Sequence, residues 1–218
     1  MLKRILIVLP ILLGNVLWAQ TASPAAQPGS SQPLIILIGP PLSGKTSLVD
    51  SITQTYNIPN ISVEDLIKDH APELEHLRGQ GMSMAEMRYD PAMSRYLRER
   101  LKTADLSHGL ALDGYPATLV QAEDLSKMVP ELNLKPIAFQ LQVPDDVIRA
   151  RSQKTGRQSD RSQIIEQRIK DYHREMDAIS FYFPQANIVA VDANKPEAEV
   201  WKAIQSALDG AGIKPSAK

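Results

Sequence analysis

The clearest indication of how this chain folds is LIILIGPPLSGKT, residues 34–46. An apolar run typical of a buried strand leads into Gly39, and Gly44, Lys45 and Thr46 follow after four further residues. This is the spacing of the phosphate-binding loop G-x-x-x-x-G-K-[ST], which joins a strand to a helix. A glycine-rich turn lets successive backbone N–H groups point inward and hold phosphate oxygens. The segment therefore predicts a nucleotide-binding α/β protein.

The loop offers three kinds of ligand to a nucleotide. Its backbone N–H groups, and the N-terminal end of a helix that starts near Ser43 to Lys45, attract phosphate. Lys45 is long enough to reach the β- and γ-phosphates, and the Thr46 hydroxyl is a suitable ligand for Mg²⁺. The predicted ATP-binding residues of the loop are Gly39, Pro40, Pro41, Leu42, Ser43, Gly44, Lys45, Thr46 and Ser47.

The composition limits the classes of function. The chain has 218 residues, enough for one domain with a sizeable core, and 43% of them are hydrophobic. Its net charge of −1 provides no basic field for nucleic acid, so we expect no nucleic-acid partner. There is no cysteine, which excludes disulfides and cysteine metal sites, and the 4 histidines lack metal-ligand spacing.

The N-terminus carries information on location. Lys3 and Arg4 precede an apolar run over residues 5–19, a pattern that resembles a secretory signal peptide. The run is short for a membrane span and is interrupted by proline and glycine. We therefore expect a signal peptide-like segment at 1–19, export to the periplasm or the medium, and no stable membrane insertion after its removal. A retained membrane anchor and a start codon upstream of the natural one are the alternatives.

A change in composition separates a linker from the folded region. Residues 20–32 are rich in proline, alanine and serine and cannot form a core. We expect the folded domain at 33–212 and a tail at 213–218. Within the domain, short apolar runs alternate with amphipathic stretches, which predicts a parallel sheet covered on both faces by helices. Ligands of such sheets bind at the carboxyl ends of the strands, where Gly39 and Asp113 fall.

The individual elements follow this alternation. Strands are predicted at the run before Gly39 and at Ile58–Ile61, Leu110–Leu112, Pro136–Val143 and Ile188–Val191. Helices are predicted at Thr46–Tyr56, from Ser62, at 72–78, at 83–104 with a bend or a break at Pro91, at Thr118–Met128, from Pro144, at Arg161–Ile179 and at Pro196–Leu208.

A second informative segment is LALDGYPATLVQAEDL, residues 110–125. Asp113 closes its apolar strand, where an acidic partner of the nucleotide's Mg²⁺ would stand and act through a metal-bound water. Asp-Gly is also a common turn dipeptide, so the position gains its meaning from the phosphate loop. Thr46 and Asp113 are the predicted metal-site residues.

Five segments agree with one known family in order and spacing: GPPLSGKTSL, LDGYPATLVQAEDL, LQVPDDVI, TGRQSD and VDANKPEAEV. Together they resemble the adenylate kinase family of nucleoside monophosphate kinases over nearly all of residues 34–209. The resemblance implies a P-loop NTPase three-layer α/β sandwich, a helical monophosphate-binding insert at about 62–104 and a short lid at about 151–160. It also implies transfer of the γ-phosphoryl group of ATP-Mg²⁺ to a nucleoside monophosphate, AMP by expectation, giving two diphosphates.

The same resemblance assigns cationic residues to the transferring group. Arg151 and Arg157 bracket the lid stretch and Arg168 follows on the next helix; with Lys45 they are the predicted catalytic residues. Arg151 and Arg157 are also expected to contact ATP, and Asp160 to orient a lid arginine. A guanidinium group stays charged and binds phosphate oxygens in a bidentate manner. No general base is required, because the acceptor is already an anionic phosphate.

The acceptor side departs from the family pattern. Ala117 stands where the family has a phosphate-binding arginine, and Lys68 aligns with a second one. Loss of such an arginine commonly costs about 2–3 kcal/mol, or about 30- to 150-fold in affinity or rate. The predicted monophosphate-binding residues are Val63, Lys68, Gly114, Tyr115, Gln121, Arg157 and Arg168, with Gln121 matching the family's base-reading glutamine.

These departures from the family pattern leave other interpretations of the function open. Arg78, Arg88 and Arg95 of the insert are candidates to compensate for the missing arginine. An ATP-binding module with weak or no kinase activity, and a phosphotransferase with a different acceptor, are the alternative functions.

In the donor loop, Leu42 replaces a glycine of the family, and we expect it to adopt ordinary backbone dihedral angles. Short-lid members of the family are often monomers, so a monomer is expected. The resemblance by itself would imply a cytoplasmic protein, which is the default for the family.

Overall fold

The computed structural model describes residues 31–156, 161–181 and 187–216. The signal peptide-like segment, nearly all of the predicted linker, and the lid residues Arg157 and Asp160 lie outside the described residues. Within them, five parallel strands form one sheet in the order β2-β3-β1-β4-β5. The strands are β1 (Gln32–Ile38), β2 (Asn60–Ser62), β3 (Leu110–Asp113), β4 (Leu134–Gln142) and β5 (Asn187–Asp192). The prediction of a parallel α/β sheet is confirmed.

Helices follow the strands as the alternating pattern predicts. They are α1 (Lys45–Tyr56), α2 (Val63–Asp69), α3 (Glu75–Gly79), α4 (Met84–Met87), α5 (Ala92–Leu101), α6 (Leu119–Glu131), α7 (Asp145–Thr155), α8 (Ser162–Phe181) and α9 (Glu197–Gly210). None of these described helices combines the length and the apolar character that a membrane span requires.

The insert between β2 and β3 is interrupted at its centre. The helical stretch expected over 83–104, with a bend or a break at Pro91, is divided into two helices: α4 ends at Met87 and α5 begins at Ala92. The Asp90 carboxylate accepts the backbone N–H of Ala92 at 2.8 Å, and Pro91 caps the new helix. Proline lacks an N–H and does not continue a helix, so of the two outcomes expected at Pro91 the structure shows the break.

The apolar run before the phosphate loop is the central strand. All residues from Leu34 to Ile38 are buried, which is typical of a parallel strand covered on both faces. Leu34 and Ile36 pack into a core with the insert and α6, whereas Ile35 and Leu37 pack into a core with α1 and α9. The two cores fix the register of β1, in which Leu37 lies opposite Asp113 of β3.

This topology places the phosphate loop at a crevice. β1 pairs with β3 on one side and with β4 on the other. The chain after β1 leads to β2 at one edge of the sheet, whereas the chain after β3 crosses over β1 to β4 on the other side, so the direction of the strand order changes at β1. In open parallel sheets, ligands bind at such a switch point, outside the carboxyl ends of the strands. The loop after β1 and the carboxylate that ends β3 therefore share one edge of the sheet.

Candidate functional site

The phosphate loop depends on two glycines with different tasks. At Gly39 a Cβ atom would lie 2.8 Å from Ser43 Oγ and 2.9 Å from Leu141 Cβ, so a side chain there would collide with the loop and with β4. Gly44 has φ 90° and directly precedes α1, a left-handed conformation that L side chains rarely adopt. The loop thus turns tightly onto the N-terminal end of a 12-residue helix, which favours anions at this point.

Leu42 corrects the expectation made from the sequence. Its φ is 59°, in the left-handed region, so the prediction of ordinary backbone dihedral angles is wrong. The Leu42 side chain packs against the cluster of Ile148, Ile165 and Ile169. Its carbonyl oxygen accepts a hydrogen bond from Arg151 Nη1 at 2.9 Å. These contacts hold a leucine in a backbone conformation suited to glycine.

The side chain of Lys45 bonds to the backbone of the phosphate loop. Its Nζ donates to the carbonyl oxygens of Gly39 at 2.7 Å and Pro40 at 2.8 Å. Burial of the ammonium group, with the positive charge of Arg88 as the next cause, lowers the pKa of Lys45 to about 7. Asp113 acts in the opposite direction and Arg168 in the same one. Negative charge brought to this point would restore the proton to Lys45.

The two predicted metal-site residues meet. The Thr46 hydroxyl donates a hydrogen bond to Asp113 Oδ2 at 2.9 Å, from the start of α1 to the end of β3. A hydroxyl and a carboxylate are hard oxygen ligands, and Mg²⁺ is typically bound by one or two protein groups together with substrate phosphates and waters. The pair therefore fits Mg²⁺, with the phosphate loop alongside for the nucleotide.

A cleft of about 750 Å³ runs from the phosphate loop to the insert. This volume is typical of small-molecule sites, which span roughly 300–1,000 Å³. Its walls come from the loop, from α2 and α4 of the insert, and from Arg168 of α8. Among the lining residues are Lys45, Thr46, Asp113 and Arg168, so the cleft brings the described donor-side residues together.

Arg151 makes two backbone contacts instead of facing this cleft. Its Nη1 donates to Leu42 O, and its Nη2 donates to Ala193 O at 3.0 Å. The guanidinium group therefore joins the phosphate loop to the residues that follow β5. This arrangement supports the loop, and the predicted contact of Arg151 with ATP stays a prediction.

Of the predicted acceptor residues that the structure describes, Arg168 lines this cleft and Gly114 does not. Gly114 borders an adjoining pocket together with Ala117, Lys45, Arg88 and Arg168. Val63 and Tyr115 are buried, and the Tyr115 hydroxyl bonds to Ser94 Oγ and to the Gln121 carbonyl oxygen. Burial raises the pKa of Tyr115 to about 12. These two side chains belong to the buried core behind Gly114.

Lys68 does not take the position of the second acceptor arginine. Its side chain is 61% exposed and pairs with Asp65 at 3.4 Å, and it is not among the residues that line the cleft. Asp65 and Glu64 line the cleft instead. The expected partial replacement by Lys68 therefore has no support in this conformation.

Gln121 is fully buried and bridges two backbones. Its Oε1 accepts the N–H of Ala117 at 2.7 Å, and its Nε2 donates to the carbonyl oxygen of Arg88 at 2.8 Å. The amide thus ties the loop after β3 to the end of α4. Its predicted contact with an acceptor base stays a prediction.

Three arginines of the insert were expected from the sequence as candidates to compensate for Ala117, and the structure places only one of them at the cleft. Arg78 lies 3.9 Å from Glu75, and Arg95 pairs with Glu73 at 2.8 Å, both on the outer surface of the insert. Arg88 alone of the three lines the cleft. No signal in the sequence distinguishes it, because the short helices around it give no clear periodicity.

The sheet order, the glycine-containing loop and the Thr46–Asp113 pair define a P-loop phosphotransferase. The sequence profile of the adenylate kinase family matches residues 37–188. The chain is 31% identical to the adenylate kinase of Corynebacterium urealyticum over 179 residues, covering 80% of this chain and 98% of that protein. It is 29% identical to the adenylate kinase of a Cyanothece species over 186 residues, with 80% and 94% covered. The chain belongs to the adenylate kinase family, and by class it is a nucleoside monophosphate kinase.

Proposed function

We propose that the protein transfers the γ-phosphoryl group of ATP-Mg²⁺ to a nucleoside monophosphate, with AMP as the expected acceptor and two diphosphates as products. One observation carries this proposal: a single cleft contains the phosphate loop, the Thr46–Asp113 pair, and the cationic groups of Arg88 and Arg168. Donor and acceptor phosphates require both halves within reach of one another.

The donor half acts by binding and orientation. The loop N–H groups and the start of α1 hold the ATP phosphates, and Lys45 donates its N–H groups to their oxygens. Thr46 would hold Mg²⁺ directly and Asp113 would hold it through water, and the ion supplies neutralising charge to the donor oxygens. Arg151 keeps the loop in place through Leu42 O.

Charge stabilisation completes the mechanism. During transfer, negative charge shifts onto the oxygens of the moving phosphoryl group and of the leaving diphosphate. Lys45 and Arg168 line the cleft where that charge develops. Arg157, which lies outside the described residues, is proposed to add a third cation from the lid. Fixed cations in an enclosed site stabilise the transition state more than water does.

The test is a turnover assay with the purified protein, ATP-Mg²⁺ and each nucleoside monophosphate in turn, in which diphosphate formation is followed by chromatography. We expect formation of ADP from AMP, and its loss in Lys45→Met. The absence of diphosphate with every monophosphate, together with measurable ATP binding, would overturn the proposal.

Two observations favour the alternative functions, an ATP-binding module and a phosphotransferase with a different acceptor, and the same assay tests both. Lys68 lies outside the cleft and Ala117 offers no cation, as an ATP-binding module with little turnover would allow. Glu64 and Asp65 add negative charge to the acceptor side, which would disfavour an anionic acceptor. Phosphorylation of a non-nucleotide acceptor, in place of every monophosphate, would identify a different phosphotransferase.

Location and assembly are further parts of the proposal. We propose export directed by residues 1–19, a linker at 20–32 and a folded domain at 33–212. N-terminal sequencing of the protein isolated from its cells tests whether residues 1–19 are removed.

We also propose a monomer, since the described residues leave only Met84, Leu119 and Val120 as exposed large hydrophobic side chains. Sedimentation equilibrium measures the assembly state.

A further inference from the structure

We propose that Arg88 binds the phosphate of the acceptor monophosphate and replaces the arginine that is absent at Ala117. The inference rests on the proposed kinase function, which it makes specific for one residue. It assigns to the insert a contact that the resemblance assigned to the loop after β3.

The position of the guanidinium group is the first argument. Arg88 directly follows α4, and its Nη2 lies 3.2 Å from the point that a Cβ of Gly114 would occupy. The guanidinium group therefore lies over the glycine of the Asp113-Gly114 turn, and Gly114 provides the space for it. Arg88 and Ala117 border the same pocket, together with Lys45 and Arg168.

The bonding of Arg88 is the second argument. Its Nε is buried and has no hydrogen-bond partner among the described residues. The other arginines of the insert form ion pairs: Arg78 with Glu75, Arg95 with Glu73, Arg98 with Glu131 and Arg100 with Asp69. The Arg88 side chain borders the pocket. Because buried donors normally have partners, its unpaired N–H indicates that a ligand with hydrogen-bond acceptors completes the bonding of this side chain.

The charge around the pocket is the third argument. Three cationic side chains border it, and the charges of Arg88 and Arg168 both lower the pKa of Lys45. Asp171 also lies at this wall, at the α8 end, where it pairs with Arg174 at 3.0 Å. Such a concentration of positive charge is stabilised by an anion, and a guanidinium group fits phosphate oxygens.

The support of Arg88 is the fourth argument. Gln121 bonds the Arg88 carbonyl oxygen on one side and the Ala117 N–H on the other, so the two positions are held together by one buried amide. A phosphate-binding group must be fixed to gain from its charge, and this bridge fixes the backbone at the base of the side chain.

The test measures binding by calorimetry, so that it does not depend on turnover. AMP, adenosine and ATP are titrated into the wild-type protein, into Arg88→Met, and into Arg78→Met as the matched control from the same insert. We expect Arg88→Met to weaken AMP binding by about 30- to 150-fold, because a charge-assisted bidentate contact is lost. Adenosine, which lacks the phosphate, and ATP should bind as before, and Arg78→Met should bind all three normally.

A second substitution tests the replacement itself. Ala117→Arg should restore much of the AMP affinity in Arg88→Met and change it little in the wild type. An equal gain in both backgrounds would mean that the two positions act independently, and would overturn the inference. Unchanged AMP binding in Arg88→Met, or an equal loss of ATP binding, would overturn it as well.

The outcomes separate this inference from the proposed function. AMP binding that depends on Arg88, without turnover, supports the inference and contradicts the kinase activity. Normal turnover with AMP in Arg88→Met contradicts the inference and leaves the kinase activity in place. Absence of AMP binding to the wild-type protein contradicts both.

Discussion

The Thr46 hydroxyl donates a hydrogen bond of 2.9 Å to Asp113 Oδ2, although the two lie 67 positions apart in the chain. The bond joins the first turn of α1 to the end of β3. It follows from the register in which Leu37 of β1 faces Asp113, because one residue beyond β1 the chain turns into the phosphate loop. Two Mg²⁺-compatible oxygens are therefore fixed by the central strand pairing itself.

Asp113→Asn should reduce activity through the metal. Removing the charge of a residue that holds a metal-bound water typically lowers metal affinity or activity by about 10- to 100-fold. We expect a higher Mg²⁺ concentration for half-maximal rate, measured at fixed ATP. Asp50→Asn, which changes another carboxylate of the same cleft, is the control and should leave the Mg²⁺ dependence unchanged. The same loss in both variants would argue for a general effect of cleft charge.

The parts of the site that could be predicted are those with local sequence signals. The loop spacing and the strand that ends in Asp113 are contiguous patterns, and parallel pairing brings their carboxyl ends together. An interruption at Pro91 was expected as a bend or a break, but partial helical periodicity continues across the proline, so the sequence did not distinguish the two. Arg88 could not be singled out, since its place in the cleft depends on the packing of two short helices and on the distant Gln121.

ATP binding should take up a proton above neutral pH. Lys45 has a pKa lowered to about 7 from its usual 10.5, so at pH 8 about 90% of it is neutral before ATP binds. The phosphates favour the charged form and restore the proton. Through this group, ATP affinity should fall by up to about tenfold for each pH unit above 7. Calorimetry in buffers of different ionisation enthalpy measures the uptake directly.

Lys45→Arg provides the control for this proton. Arginine stays charged throughout the range, so its ATP binding should show no uptake at pH 8 and a flatter pH dependence, whatever its affinity. Uptake of the same size in Lys45→Arg would assign the proton to another group and contradict the lowered pKa.

The left-handed backbone of Leu42 predicts an unusual order of stability. Leu42→Ala removes the packing against Ile148 and Ile169 but keeps a Cβ at φ 59°. Leu42→Gly removes the same packing and also the backbone strain. The glycine variant should therefore be more stable than the alanine variant by about 1 kcal/mol, although glycine ordinarily costs more unfolded-chain entropy. Urea unfolding of both variants measures the difference, and a more stable alanine variant would contradict the strain at this position.

Gln121→Met should act on the acceptor through Arg88. The change leaves the Ala117 N–H and the Arg88 carbonyl oxygen without the amide, and an unpaired buried group costs about 1–3 kcal/mol, so unfolding should occur at lower urea. Because the bridge no longer fixes Arg88, AMP should bind more weakly to Gln121→Met than to the wild type.

A double-mutant cycle distinguishes this positioning role from direct contact with the base. If Gln121 acts through Arg88, its substitution has little further effect on AMP binding once Arg88→Met is present, and adenosine binding is unchanged in both backgrounds. If the amide contacts the base, the loss persists in the Arg88→Met protein and extends to adenosine, which retains the base. We expect the first pattern, because both ends of the buried amide already bond backbone atoms, and the adenosine titration decides between the two roles.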